Sequence, residues 1–597
     1  MTAENSTRDI ALTVLPKRKH SKMRWTVLIF VQILIIMHVA LWFIGKKYGW
    51  FGGKTLSPIE PSEGILFVAE GIVNTGAIFF ALALLSTLIF GRWFCGWGCH
   101  VVLLQDWCYL LLRKIHIRPK PFRSRFLMFF PFALAFYMYI WPLLYRFLIV
   151  KIPWPEMSNQ LLTEDYWGSF ASPIIAVPFL LVCGFATVYV LGAKGFCTYG
   201  CPYGGLFKPL DAVSPMHVRV NDNCKQCGSC TAACTSNVRV HEEVKLYKMV
   251  IDSGCMKIMD CVDVCPNDAL HIGFGTVALG KRTQKRKYNL ALWEEFFVSG
   301  LFLLGFFAFR RLYEFIPMLM AVGISLVVTW LVWKAIKVLQ ESNVSFHSWR
   351  LKFHGKIKPA GVLFILIAVI LFALTAHSAV IQSFKLIGEN ALRNNDIASA
   401  MRYYKLASPF KDGGFAFASN PNVDKAVAVY LESELQFKEA ERLFRRIHKR
   451  TGDEYSAMLL AQNLQSHYQF TPINTFYSDK LEANPDWDTL WEDYVGWIKR
   501  SGMYTRALDL SRVAVEKNPR ATRLKVQLAL LEMDHGSPSE ASKIMRGVLE
   551  EDNNNPSWWF LYARALEREG KNEESRKAIQ TVREIQAERA QGKDLDR

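Results

Sequence analysis

A mainly helical protein is expected, a polytopic helical membrane bundle with a small α+β insert and a C-terminal α-solenoid. Three features of the sequence predict it. Seven stretches are apolar enough to span a bilayer core, which takes about 20 helical residues. All 13 cysteines fall between Cys95 and Cys265, most of them in one polar segment. The polar C-terminal part repeats every 34 residues, as Gly502, Gly536 and Gly570 show. Composition agrees: 51% hydrophobic and 13% aromatic residues exceed what a soluble protein carries, while 21% charged residues exceed what a pure membrane bundle carries. The net charge of +18 raises nucleic acid as a partner. Lys and Arg cluster instead beside the apolar stretches, where they retain cytoplasmic loops and meet anionic lipid. Membrane lipid is therefore the expected partner of this charge, and nucleic acid is not.

The seven stretches cover residues 25–44, 65–90, 126–149, 173–192, 290–309, 316–333 and 359–377. The first follows a basic run (Lys17, Arg18, Lys19, Lys22, Arg24). It is too long for a signal-peptide core and has no small-residue cleavage site after it, so it reads as an uncleaved span. The fifth carries Glu294 and Glu295 near its start, which leaves open where it enters the bilayer. The N-terminal segment, the 92–125 loop, the 193–289 insert and the 334–358 loop are rich in Lys and Arg; the intervening loops are not. The positive-inside rule then puts the N-terminus and insert in the cytoplasm. With seven spans, everything after about residue 378 lies outside, in the periplasm if the membrane is a cell inner membrane. The expected organisation is a cytoplasmic segment 1–24, a four-span domain 25–204, the insert 205–280, a three-span domain 281–377 and an outer domain 378–597.

Within the outer domain, Ala507, Ala541 and Ser575 follow the three glycines at the same interval, and helical patterns such as RALDLSRVAVEKNP flank them. This resembles the tetratricopeptide repeat, a helix–turn–helix unit stacked into a solenoid. The stretches GENALRNNDIASAMRYYKLA and AVAVYLESELQFKEAERLFRRI fit the plan with less regular spacing. A generic helical bundle is the plain alternative. Either form is a protein-binding surface, since no metal-ligand or nucleophile constellation occurs there.

The chemistry lies in the cysteines. NDNCKQCGSCTAAC holds Cys224-x2-Cys227-x2-Cys230-x3-Cys234, the spacing that wraps three corners of an iron–sulfur cube while the fourth thiolate reaches a second cube. Zinc also accepts C-x2-C, but a second set, GCMKIMDCVDVCPNDAL, ends in Cys265-Pro266 and turns the reading to a dicluster-ferredoxin-like insert. By crossed ligation one [4Fe-4S] cube takes Cys224, Cys227, Cys230 and Cys265. The second has Cys234, Cys255 and Cys261, and Ile258 stands where its fourth ligand belongs. That site is expected to hold a three-iron cluster, a four-iron cluster completed by another ligand such as Asp260, or nothing; an occupied site is preferred.

Two more pairs stand at inner ends of spans: Cys95-x3-Cys99 in GRWFCGWGCH and Cys197-x3-Cys201 in KGFCTYGCPYG. Equal spacing on one side predicts that they converge on a shared metal or further cluster, because thiolates beside the apolar core are costly without a cation. Redox dithiols are the alternative. CGWGCH invites a c-type haem reading, but three residues separate its cysteines and His100 reads as an interfacial polar residue. Cys108 and Cys183 read as buried thiols, and His38 as a packed histidine rather than a haem ligand.

These residues resemble the membrane-bound polyferredoxin family, which includes the quinol-linked ferredoxin subunit of periplasmic nitrate reduction, the nitrous-oxide reductase maturation protein and a cytochrome oxidase assembly factor. The match covers about residues 60–280. Cys197, Cys201 and Pro202 fit its C-x3-C-P pattern; His100, Thr235 and Ile258 depart from it. The resemblance implies one-electron transfer at the membrane between a quinol or cytoplasmic donor and a redox partner protein docked through the repeats. Other readings are a metal or disulfide reductase in metalloenzyme assembly and a non-redox scaffold with structural clusters. No Gly-rich nucleotide-binding turn supports direct NADH oxidation.

Overall fold

Six helices among the described residues are long and apolar enough to cross a membrane: Lys19–Tyr48, Leu127–Val150, Pro173–Leu191, Leu292–Phe309, Met318–Gln340 and Pro359–Arg393. The computed structural model describes residues 19–594 apart from 156, 164–165, 167–171 and 282–287, so Lys17 and Arg18 lie outside the described residues. Two units divide after Leu386.

The expected span over 65–90 takes a different form. It is broken into Gly64–Glu70 and the 16-residue apolar helix Thr75–Phe90. Gly71 ends the first at φ 73°, and Asn74 starts the second by accepting the Ala77 N–H at 2.7 Å. The break follows from residue chemistry: glycine takes the left-handed turn and Asn is a strong N-cap. Leu127–Val150 alternates between α and π segments around Pro131 and Pro142, as expected where proline removes a helical donor. Large apolar side chains along these helices, Ile36 and Leu148 among them, are exposed.

Glu294 and Glu295 find partners at the start of their helix. Glu294 accepts from the Ala291 N–H at 2.7 Å and pairs with Lys337 at 2.6 Å. Glu295, fully buried, accepts from Ser124 Oγ at 2.6 Å and the Arg125 N–H at 2.8 Å. Both carboxylates thus close a helix N-terminus, where the macrodipole favours them, and Glu295 ties this span to the start of Leu127–Val150.

The insert is the expected α+β piece. Strand Met216–Val220 pairs antiparallel with Leu270–Phe274, with Val218 opposite Ile272, and the cysteine loops and short helices lie between. Three pairs of residues with left-handed backbone recur 31 positions apart: Gln226 and Lys257, Gly228 and Met259, Asn237 and Asp268. The two halves are therefore one wrapping conformation used twice. Five of the six are not glycine, a conformation that costs energy unless surroundings enforce it.

The second unit is a stack of helix pairs. Their first helices begin at Pro421, Glu454, Asp488, Thr522 and Pro556, a step of 33 or 34 residues. Gly502 and Gly570 take left-handed turns between the paired helices. Small residues at the close crossings, Ala440, Ala507 and Ala541, are fully buried. The repeat read from the glycines thus extends to the earlier, less regular stretches. The unit is an α-solenoid of tetratricopeptide type.

Candidate metal centre

The first and last cysteines of the insert meet. Cys224, Cys227, Cys230 and Cys265 line one small cavity with Pro266. Burial, then Cys227, Cys224 and Cys265 beside it, push the Cys230 thiol up to about 12. A second group forms from Cys234, Cys255 and Cys261. Cys234 rises to about 12 through burial and the neighbouring Cys255, and Cys261 rises through burial, Cys255 and Cys234. The crossed pairing expected from the spacing is the one found, with Cys234 in one group and Cys265 in the other. Asp260 adjoins Cys234 and Cys261, and burial raises its carboxyl to about 6.

The two C-x3-C pairs also converge. Burial, then Cys201 and Cys95, raise Cys99 to about 12; burial raises Cys201 to about 11, with Cys95 adding to it; Cys197 rises through burial, Cys201 and Cys99. The local geometry repeats. Cys95 and Cys197 sit in the one-turn helices Trp93–Trp97 and Gly195–Tyr199, while Cys99 and Cys201 are the N-caps of His100–Lys114 and Pro202–Val213. Each of these two thiols thus stands at a helix N-terminus, a place that favours thiolate. Thiols packed this closely need positive charge among them to ionise together.

Fixed positive charge is present. Arg92, 1% exposed, lies beside Cys95 and Cys197, and Lys194, 2% exposed, opposes the rise of the Cys197 thiol. Each cation's segment meets an acid from the other half: Lys194 Nζ pairs with Asp106, and Asp211 Oδ1 accepts the Arg92 backbone N–H at 2.8 Å. Arg24 of the first span shares Asp106, and Gln105 Nε2 donates to Cys197 Sγ at 2.8 Å. Buried Lys257 pairs with Asp211 at 2.9 Å and opposes the rise that burial imposes on the Cys255 thiol. Sequence reasoning missed these residues. A signal existed for two of them, since Arg92 and Lys194 each stand three residues before the first cysteine of a pair.

The insert docks directly on this centre. Trp97 Nε1 donates to the Lys257 carbonyl at 2.9 Å, Arg92 Nη1 to the Ser253 carbonyl at 2.9 Å and Arg24 Nε to the Gly96 carbonyl at 2.8 Å. Ile258, on a backbone equivalent to that of Cys227, packs with Val102, Met256, Cys95, Cys99 and Cys197. Asp263 accepts the backbone N–H groups of His20 and Ser21, at 3.2 and 2.8 Å, and so caps the first span. A Cβ on Gly96 would stand 2.1 Å from the Met256 carbonyl oxygen. Gly96→Ala is therefore expected to push the insert away at a cost of about 1–3 kcal/mol, read as faster amide exchange across residues 253–258.

His38 holds Thr55 Oγ1 at 2.8 Å and Tyr166 OH at 3.2 Å, a hydrogen-bonded histidine as expected. Cys183 is buried and Cys108 nearly so. Among the described residues no three His, Cys, Asp or Glu side chains close to the spacing of ligands around a single metal ion. The donor sets, four thiols, three thiols and four thiols with buried cations beside them, fit iron–sulfur clusters in chemistry.

Comparison with known proteins bears on the same residues. The family model described as a 4Fe-4S binding domain matches residues 75–118 and 174–220, one stretch for each C-x3-C pair. A tetratricopeptide-repeat model matches 532–595. The putative electron transport protein YccM of Escherichia coli is 27% identical over 229 residues, 37% of this chain and 57% of its own. The ferredoxin-type protein NapH of Haemophilus influenzae is 24% identical over 256 residues, 38% of this chain and 79% of its own. The methylamine utilization ferredoxin-type protein MauN of Methylobacillus flagellatus is 24% identical over 180 residues, 28% of this chain and 59% of its own.

Proposed function

We propose that this polyferredoxin-like chain with its tetratricopeptide-repeat domain carries single electrons between a quinol or cytoplasmic donor and a redox protein docked on the repeats. Three adjoining groups of thiols in one unit carry the reading: the first ferredoxin site (Cys224, Cys227, Cys230, Cys265), the second (Cys234, Cys255, Cys261) and the membrane-edge site (Cys95, Cys99, Cys197, Cys201). Bound there, iron–sulfur clusters supply reversible one-electron chemistry. The protein's part is to place the sites side by side, exclude water and set the local charge. Arg92, Lys194 and Lys257 do the last, since buried positive charge favours added electrons. The electron-transport and ferredoxin-type relatives agree with this role.

The membrane arrangement follows the same logic. The cap that Asp263 places on the first span supports an N-terminus and insert on one side, the cytoplasm under the positive-inside rule. Thr75–Phe90 spans about 24 Å at 1.5 Å per residue, short of a bilayer core of about 30 Å; Gly64–Glu70 makes up the depth. Counted as a crossing, the pair makes seven and puts the repeats in the periplasm of an inner-membrane protein. Cysteine labelling of intact cells at Ser575→Cys checks the side.

Iron and sulfide content with electron paramagnetic resonance on anaerobically purified protein tests the function. Filled ferredoxin sites give about eight irons per chain and dithionite-reducible signals. Cys227→Ser is expected to remove about four irons. Zinc in place of iron overturns the proposal.

A further inference from the structure

A cleft of about 510 Å³ opens on the solenoid between the second helices of two successive pairs, Phe437–Thr451 and Phe470–Ala483, within the size range of ligand clefts. We infer that it takes an acidic segment of a partner protein, one that carries a large apolar side chain among its carboxylates; this rests on the reading above that the repeats dock a redox protein.

The lining is one-sided in charge. Arg445, His448 and Lys449 come from the first of these helices and Lys480 from the second, and none of the described residues that line the cleft is Asp or Glu. The excess is local. From Ile387 onward the chain holds 31 Lys and Arg against 32 Asp and Glu, so the cleft does not merely share the positive charge of the whole protein.

Cations of the same helix outside the cleft are neutralised. Arg446 pairs with Asp412 at 2.7 Å and with Asp424 at 3.2 Å, and Arg442 pairs with Asp412 at 3.1 Å. Within the cleft, Arg445 pairs with Glu441 at 2.5 Å, but Lys449 and Lys480 make no ion pair with any described residue. Lys480 lies over the Phe476 ring, 5.8 Å from its centroid. Burial, then Lys480, hold the His448 ring below its ordinary value, with Asp453 opposing. Asp453 itself is committed to capping Glu454–His467, where it accepts the Ser456 N–H at 2.8 Å. Positive groups of two helices are thus held close across one space, which favours an anion between them.

The apolar part is recessed. Leu460, 1% exposed, and half-buried Phe476 and Trp487 supply it. Aromatic side chains in a pocket with a charged surround are the usual anchors of a protein interface. A bilayer takes up apolar groups that protrude, and a nucleic acid needs a basic stripe along its backbone. A recessed cleft on a unit of nearly balanced charge offers neither. A peptide segment meets both parts, its carboxylates reaching Lys449 and Lys480 and its apolar side chain entering against Phe476 and Trp487.

The test uses the full chain in detergent, with fluorescence anisotropy as the readout and a fluorescein-labelled peptide, GDEDFDEDG, as the probe. Saturable binding to the parent is expected, weakening as salt is raised, and the same peptide with Asn and Gln in place of its acids should bind about tenfold more weakly. Lys449→Glu with Lys480→Glu should weaken binding of the acidic peptide about tenfold or more, since like charges then meet. Lys543→Glu with Lys577→Glu, at two exposed lysines of later second helices, should leave it unchanged. If the first double variant loses helical signal, Lys449→Gln with Lys480→Gln decides alone. No saturable binding to the parent, equal losses in the two double variants, or displacement of the peptide by stoichiometric dioleoylphosphatidylglycerol overturns the site. Dithionite-reducible clusters in the same preparation would then leave the electron-carrier reading standing. Their absence from the parent would sink that reading instead, whatever the anisotropy shows.

Discussion

Asp106→Asn is expected to be the most damaging single substitution outside the cysteines, costing about 3–5 kcal/mol. Asp106 is 6% exposed and receives Arg24 and Lys194, themselves 2% exposed. Asparagine keeps the shape but removes the carboxylate with which both cations pair, and a buried charge without its counterion bears its full desolvation cost. Arg24 would still hold the Gly96 carbonyl, so the damage centres on Lys194 and on Cys197 beside it. The measurement is the temperature at which the purified protein loses iron and helical signal. Adding Lys194→Met to Asp106→Asn should recover part of the loss, because one of the stranded cations goes. If the double variant is no better than the single one, the ion triad is not the cause.

Ile258→Cys is expected to change the second ferredoxin site without unfolding the insert. The backbone at 257 and 259 repeats that at 226 and 228, so position 258 is the counterpart of Cys227. A thiol there would complete a four-cysteine set and raise iron by about one atom per chain, replacing an oxidised three-iron signal with a four-iron one. The present side chain packs with Cys95, Cys99 and Cys197, so the spectrum or potential of the membrane-edge site should move too. Ile258→Val, which keeps the apolar contact, should alter neither iron content nor cluster type. Unchanged iron and spectra in Ile258→Cys would refute this account of the second site. Cys99→Ser with Cys201→Ser isolates the membrane-edge site, and loss of about four irons is expected if the four thiols hold a cube.

Much of the architecture is legible because its signals are local. Apolar runs mark the spans, since lipid demands continuous hydrophobicity. The glycine period marks the solenoid, since each turn between paired helices meets the same conformational demand. Cysteine spacing even foretells the crossed grouping of Cys234 and Cys265, because a short loop can wrap only three corners of a cube. The stretch 65–90 shows where the local signal falls short: hydropathy reads it as one span, but Gly71 and Asn74 divide it.

The sequence by itself determined the helical membrane class, the repeat domain and the eleven thiols grouped in sets. Tertiary structure alone decided what surrounds them. Lys194 with Asp106 and Lys257 with Asp211 are pairs of residues far apart in the chain, and nothing beside a lone Asp or Lys says that it will be buried. Hydrophobicity and turn preference are properties of neighbouring residues and can be read in order. Charge compensation and the contact of Ile258 with the membrane-edge thiols arise only when distant segments exclude water together, and folding alone brings them to one place.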